Sequence, residues 1–279
     1  MAWLRRLMKN AHLRCCSPPA STTYLSVRLV PRGGGRLASG HFCSAWGAGL
    51  FQHPACWCLL MVLLLLVTPG LLRAQSAGRI LEDFNKGSLS RWREKEFHGT
   101  TRYRLVPDPA TGGYCLKAQC DGSASGLVLN YSYRLQDYPI LSWRWKIAAT
   151  LPGGDGSRRA TDDYAARIYV IFPGRFFFKT RTLNYIWGNR LPRETLAPSP
   201  VTSKSMMLAV ESGNRHAGEW RLERRNVLKD FRRAFGEEPP PVGAIAIMTD
   251  GDDTGGRAVA WYDDLRISSG VTASAATGE

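Results

Sequence analysis

The stretch "ILSWRWKI", Ile140–Ile147, places Leu141, Trp143, Trp145 and Ile147 on one side of an extended chain and Ser142, Arg144 and Lys146 on the other. A period of two is the signature of a strand with one face in a core and one in water, because successive side chains of an extended backbone point to opposite faces. The same period recurs through the sequence. In "YAARIYVIF" Tyr164, Ala166, Ile168, Val170 and Phe172 alternate with Arg167, Tyr169 and Ile171. Further strands are expected at Thr182–Trp187, Ser205–Ser212, Val242–Thr249 and Arg257–Ile267, separated by Gly, Pro, Asn and Asp clusters.

One helix interrupts this pattern. In "NVLKDFRRAFG", Val227, Leu228, Phe231, Ala234 and Phe235 form an apolar stripe. Asn226 can cap its start, and Gly236 followed by three prolines stops it. Many strands, one short helix near residues 226–235 and no alternation of strand with helix predict a mainly β fold, a single antiparallel β-sandwich of roughly 200 residues.

The chain divides unevenly in charge. Eight of its 37 Lys/Arg and none of its 23 Asp/Glu precede Ala77, so the net charge of +14 falls to +6 for the remainder. That remainder does not read as a nucleic-acid binder. Arg221, Arg224, Arg225, Lys229, Arg232 and Arg233 are interleaved with acids, as on a solvated face, and sit in no nucleic-acid motif.

The apolar run "ACWCLLMVLLLLVT", Ala55–Thr68, is shorter than the roughly 20 residues of a bilayer span and matches the hydrophobic region of a signal peptide. Ala74-Gln75-Ser76 offers small residues for cleavage after Ser76 or after Ala74. The expected organisation is an extension over 1–54, a signal region over 55–76, the sandwich over 77–268 and a tail over 269–279. Export to the periplasm or beyond follows, with an uncleaved anchor as the alternative and the only expected membrane contact. Five of seven cysteines fall in the leader. Cys115 and Cys120, five residues apart on one expected strand, lie on opposite faces about 16 Å apart, too far for a disulfide. They are read as buried thiols.

Candidate chemistry is sparse. "MTDGDDTG", Met248–Gly255, carries Asp250, Asp252 and Asp253 with Thr254 between glycines. It matches the first half of an EF-hand loop, but Trp261 stands where the twelfth-position Glu belongs. Three readings stay open: a polar hairpin turn, a calcium site completed by Glu82 and Asp83 or by Asp263 and Asp264, and catalysis. As an enzyme, Asp163 and Asp252 would form a carboxylate pair acting on a sugar or ester, helped by Asp162, Arg167 and Asp250. The body's two histidines, His98 and His216, stand in no nucleophilic-triad or metalloprotease context. No cofactor other than Ca2+ is expected.

Aromatics are the remaining feature: Trp143, Trp145, Tyr185, Trp187, Trp220, Trp261 and Tyr262. Rings beside polar donors suit sugars, and Tyr185 and Trp187 are expected at the surface, with Arg167, Arg225 and Asp230 as polar ligand contacts.

The succession "SASGL", "PILSWRWK", "DDYAARIYVIF", "LNYIWGN", "EWRLERRNVLKDFRRAFGEEPPPVGAIAIMTDGDDTG" and "AWYDDLRI" resembles the bacterial domain-of-unknown-function family 3047 over nearly all of Ile80–Ile267. The resemblance implies an exported, galactose-binding-like jelly roll with no established activity. The family's acidic loop usually reads Asp-Thr-Asp-Asn-Thr, whereas this chain has Gly251 and Asp253 at the second and fourth places. The leading functional expectation is a non-catalytic module binding a polysaccharide or other polar envelope component. The alternatives are the carboxylate enzyme and a structural envelope protein.

Overall fold

The computed structural model describes residues 78–174 and 179–269. The leader, its signal region, the first five cysteines and the tail beyond residue 269 lie outside them. The described residues form thirteen strands, β1 to β13, and one α-helix, α1. The strands fall into two sheets. The six-stranded sheet runs β11 (Arg221–Asn226), β6 (Ile140–Ile147), β13 (Arg257–Ser268), β4 (Gly113–Asp121) and β3 (Arg102–Asp108), with β1 (Arg79–Glu82) also pairing to β13. The seven-stranded sheet runs β2 (Trp92–His98), β5 (Ala124–Tyr133), β12 (Val242–Asp250), β7 (Arg167–Phe172), β8 (Arg181–Gly188), β10 (Thr202–Ser212) and β9 (Leu196–Ser199). Pairing is antiparallel except between β8 and β10, which run parallel, a departure from the all-antiparallel expectation. Among the described residues no helix is long and apolar enough to cross a membrane.

The alternation of "ILSWRWKI" is realised: Leu141, Trp143, Trp145 and Ile147 have no exposed surface. They meet the other sheet through aromatic contacts. Trp143 packs edge-on to Trp145 at 5.4 Å and against Tyr185 at 5.2 Å, and Trp145 meets Trp187 at 5.8 Å. The expectation of surface platforms at Tyr185 and Trp187 is therefore corrected, since both are wholly buried. The reason lies in their strand. β8 is interior to the seven-stranded sheet and nearly all of it is buried on both faces, so alternation there carries no information about solvent. β7 is buried along its whole length for the same reason.

Helix α1 spans Val227–Phe235 as expected. The Asn226 side chain accepts from the Lys229 amide at 3.0 Å, and Gly236, at φ +66°, ends the helix with its N–H on the Arg232 carbonyl. Phe231 packs against Phe172 at 4.5 Å, tying the helix to the core.

The acidic loop is not a hairpin. β12 belongs to the seven-stranded sheet and β13 to the six-stranded one, so residues 251–256 cross the end of the sandwich from one layer to the other. A side chain on Gly251 would run into the Gly256 carbonyl, which accounts for the glycine there.

Candidate functional site

Two clusters of charge stand apart from the core, each built around one arginine. The first lies at the end of the sandwich. Arg167 opens β7 and pairs in register with Met248 of β12, so Asp250, two residues further along β12, emerges on the same face beside it. The Arg167 Nε donates to Asp250 Oδ1 at 2.9 Å and Nη2 to Oδ2 at 2.5 Å. Its remaining donors reach the Tyr169 hydroxyl at 3.1 Å and the Asp162 carbonyl, and the Tyr164 ring lies 4.4 Å from the guanidinium. Arg167 is 2% exposed and Asp250 3%, a buried ion pair with nearly every donor satisfied.

Asp163 holds the crossing loop. Its carboxylate accepts from the Asp253 amide at 3.2 Å, the Thr254 amide at 2.7 Å and the Thr254 hydroxyl at 2.6 Å. Asp162 points elsewhere, with Oδ2 3.8 Å from Arg167 and Oδ1 without any hydrogen-bond partner. Oxygens of Asp163, Asp250 and Asp252 come within 4.8 Å of one another. A cavity of about 100 Å³ opens beside them, walled in part by Asp162, Arg167, Asp250, Asp252 and Asp253. Burial pushes the Asp162 carboxyl up to about 6, opposed by Arg167 and reinforced by Asp253. Asp252 and Asp253 are raised as well, first by burial and then by their acidic neighbours.

The partners expected for the acidic loop differ from those found. β1 does pair with β13, yet Glu82 accepts from the Trp92 indole at 3.0 Å, and Asp263 and Asp264 bind Arg144. Asp162 and Asp163 join the loop instead. Asp163 and Asp252 thus converge, as a carboxylate enzyme requires, but Asp163 is fully buried with both oxygens committed to the loop. It is a structural acceptor in this arrangement.

Asp230 and Arg225 are not part of that site. The Tyr185 hydroxyl donates to Asp230 at 2.9 Å, Arg225 spans both Asp230 oxygens at 3.1 Å, and Arg225 also binds Glu194 at 2.7 Å. This network fastens the first turn of α1 to the sheets. Of the five expected ligand contacts, only Arg167 reaches the acidic end, while Trp187 caps the core with its indole on the Gly213 carbonyl at 3.0 Å.

The second cluster lies on the outer face of the six-stranded sheet. Arg144 donates to Asp264 at 2.8 Å, Asp108 at 2.8 Å and Asp263 at 2.5 Å. Its guanidinium stacks on Trp220 at 4.6 Å, and Lys146 lies between Trp220 at 5.1 Å and Trp261 at 4.5 Å. Lys117 lies over the other side of Trp261 at 5.5 Å. Strand register explains the order: Arg104, Lys117, Trp261 and Lys146 occupy one row across β3, β4, β13 and β6. Trp220 and Trp261 are half-buried and Arg104 is exposed. Two residues along β3, β4 and β13, Arg102, Gln119 and Val259 help wall a groove of about 760 Å³, with Arg257 two residues further on.

Sequence reasoning passed over this face. Trp261 is followed by Tyr262, and adjacent residues of a strand face opposite ways, so the doublet signalled one ring outside and one inside. Nothing local said which.

Cys115 and Cys120 are free and buried, as expected. Burial pushes their thiols up to about 11 and about 12.

A model described as "Protein of unknown function (DUF3047)" matches residues 90–266. No curated protein matches the chain. Among solved structures, a carbohydrate-binding module from the beta-sandwich super family is similar at TM-score 0.39 and 11% identity, over 67% of this chain and 60% of that one. A carbohydrate-binding module specific for non-crystalline cellulose gives 0.37 and 12%, over 68% and 94%. The enzymatically active domain of bacteriophage CBA120 tailspike protein 4 gives 0.35 and 6%, over 67% and 20%. At these scores the likenesses carry no functional weight.

Proposed function

The chain belongs to DUF3047, a family of unknown function, so we propose a function from its own geometry: an exported, non-catalytic module that binds an anionic glycan on the outer face of the six-stranded sheet. The observation that carries this reading is the cross-strand row Arg104, Lys117, Trp261, Lys146 with Trp220 beside it. Neighbouring strands are about 4.8 Å apart, so the row offers a contact line of about 14 Å. Indole surface takes the apolar faces of sugar rings, and ammonium and guanidinium groups take carboxylate or sulfate. Seating on the rings restrains the lysines before a ligand arrives, which lowers the entropy lost on binding.

Lys117, Lys146 and Arg104 join no described ion pair, whereas Arg144 is neutralised by three carboxylates. Arg104, Lys117, Lys146 and Arg144 against those three carboxylates leave about one positive charge in excess, and an acidic polymer is its complement. Export belongs to the same proposal, and N-terminal sequencing of the secreted protein is expected to begin at Ala77 or Gln75.

Affinity electrophoresis tests the ligand class. The protein is expected to be retarded by a polyuronate gel, less so as salt rises, and not by neutral dextran. Trp261→Ala and the pair Lys117→Glu, Lys146→Glu should abolish the retardation. Equal retardation by dextran, none by polyuronate at low salt, or equal binding of DNA would defeat the reading.

A further inference from the structure

The groove beside the basic row follows from side-chain size. Along the strands from Lys117, Trp261 and Lys146, the next outward residues are Gln119, Val259 and Ala148, and beyond them stand Asp121 and Arg257. The Ala148 amide donates to the Val259 carbonyl at 2.9 Å, which keeps these two short side chains together. Between two rows of long side chains they leave a trough, the groove of about 760 Å³. That volume lies within the range of small-ligand sites, about 300–1,000 Å³.

Groove and row differ in charge. The charged residues lining the groove are Glu94, Arg102, Asp121 and Arg257, two of each sign, and Arg257 donates to Asp121 at 2.9 Å. Their formal charges cancel. On the row, a carboxylate finds Lys117, Lys146 and Arg104 without an acidic partner, whereas in the groove it meets two acids as well as two arginines. What the groove does offer suits an uncharged ligand. The Gln119 side chain has no described hydrogen-bond partner and supplies both donors and an acceptor, Thr100 presents an exposed hydroxyl, and Val259 gives an apolar floor.

We propose that this groove is a subsite for an uncharged sugar residue, so that the face selects polymers in which acidic residues alternate with neutral ones. The inference rests on the anionic-glycan reading of the row and narrows its ligand class. Outward residues two apart on a strand are separated by roughly 7 Å, so one chain can seat an acidic residue against Trp261 and Lys117 and its neighbour over Val259 and Gln119. A carboxylate lowered into the groove loses water without a net attraction in return. A hydroxyl or acetamido group avoids that cost, because Gln119 and Arg102 can donate to neutral oxygens.

The test compares two gels at equal carboxylate concentration: hyaluronan, in which uronate alternates with an uncharged N-acetylhexosamine, and polygalacturonate, which is acidic at every residue. Hyaluronan is expected to retard the purified protein with a dissociation constant several-fold lower. Val259→Trp fills the trough with an indole, and should bring hyaluronan to the polygalacturonate level while leaving polygalacturonate unchanged. Gln119→Lys gives the groove a positive charge, and should tighten polygalacturonate several-fold and erase the preference. If Val259→Trp is unfolded by circular dichroism, Gln119→Lys decides alone. Equal retardation of the wild-type protein, or stronger retardation by polygalacturonate, overturns the subsite and leaves the anionic-glycan reading standing. Retardation by neither polymer defeats both. A preference that survives either folded variant overturns the subsite, as does a Val259→Trp that weakens both polymers alike.

Discussion

Arg144 and Arg167 are the same residue with the same kind of company, and they do different things. Arg144 sits on the outer face of the six-stranded sheet, its side chain 15% exposed, with one donor contact to each of Asp108, Asp263 and Asp264. Arg167 sits at the sandwich end, its side chain 2% exposed, facing a larger group of acids. Around Arg144 each aspartate receives a guanidinium nitrogen within 2.8 Å, and water reaches the cluster. Around Arg167 the guanidinium is spent on Asp250, Tyr169 and a carbonyl, and one carboxylate oxygen is left over. Burial of the arginine, more than residue type, thus decides whether every carboxylate oxygen around it finds a donor.

The largest expected effect comes from removing each arginine. Arg167→Met strands Asp250 in a buried site and should cost about 3–5 kcal/mol in urea unfolding, as for broken buried pairs. Arg144→Met should cost about 1–3 kcal/mol, because water can rehydrate part of that cluster. Equal losses would erase the distinction between the two arginines.

Asp163→Ala removes acceptors from three loop donors and is expected to cost about 1–3 kcal/mol. It should leave polyuronate retardation intact, since the glycan face lies on another layer.

The pH response sharpens the contrast on the Arg144 side. Burial pushes Asp263 up to about 6, against the pull of the Asp264 amide and Arg144. The unfolded chain releases that proton near 3.9, so the folded state binds more protons between those values. The contribution of Asp263 to stability is therefore present below about pH 4 and lost as pH rises through about 6. The melting temperature of Asp263→Asn relative to wild type should climb over that window and then level off. A flat difference would show that Arg144 holds Asp263 ionised throughout.

The smallest effect is kinetic. Cys115 lies by Asp108 and Asp263, and Cys120 lies under the crossing loop, close to Gly251. Both should resist thiol reagents in the native protein. In Asp163→Ala, peptide mapping should show faster labelling of Cys120 with Cys115 unchanged, reporting local opening of the loop.

Much of the fold was legible because β6, β13 and α1 each expose one face, so the pattern of apolar residues records where water is. β7 and β8 are covered on both sides, and there the pattern fell silent, which is why Tyr185 and Trp187 read as surface rings. Arg167, Asp250 and Asp252 were picked out from residue type alone, and the fold brings them to one end of the sandwich. Their partner Asp162 was given a supporting part and its open oxygen went unforeseen, and Trp220 and Trp261 were counted without being placed.

What the amino-acid order determined by itself is local: the period of two, the Asn226 cap, the Gly236 stop and the distance that keeps Cys115 from Cys120. Only the tertiary structure decided that β12 and β13 lie in opposite sheets, that Asp163 meets a loop about ninety residues away, and that the Trp261 ring faces outward into a basic row. The physical reason is that strand pairing and desolvation act between segments with no memory of their separation along the chain, so the charge a carboxylate meets is set by the layer it reaches.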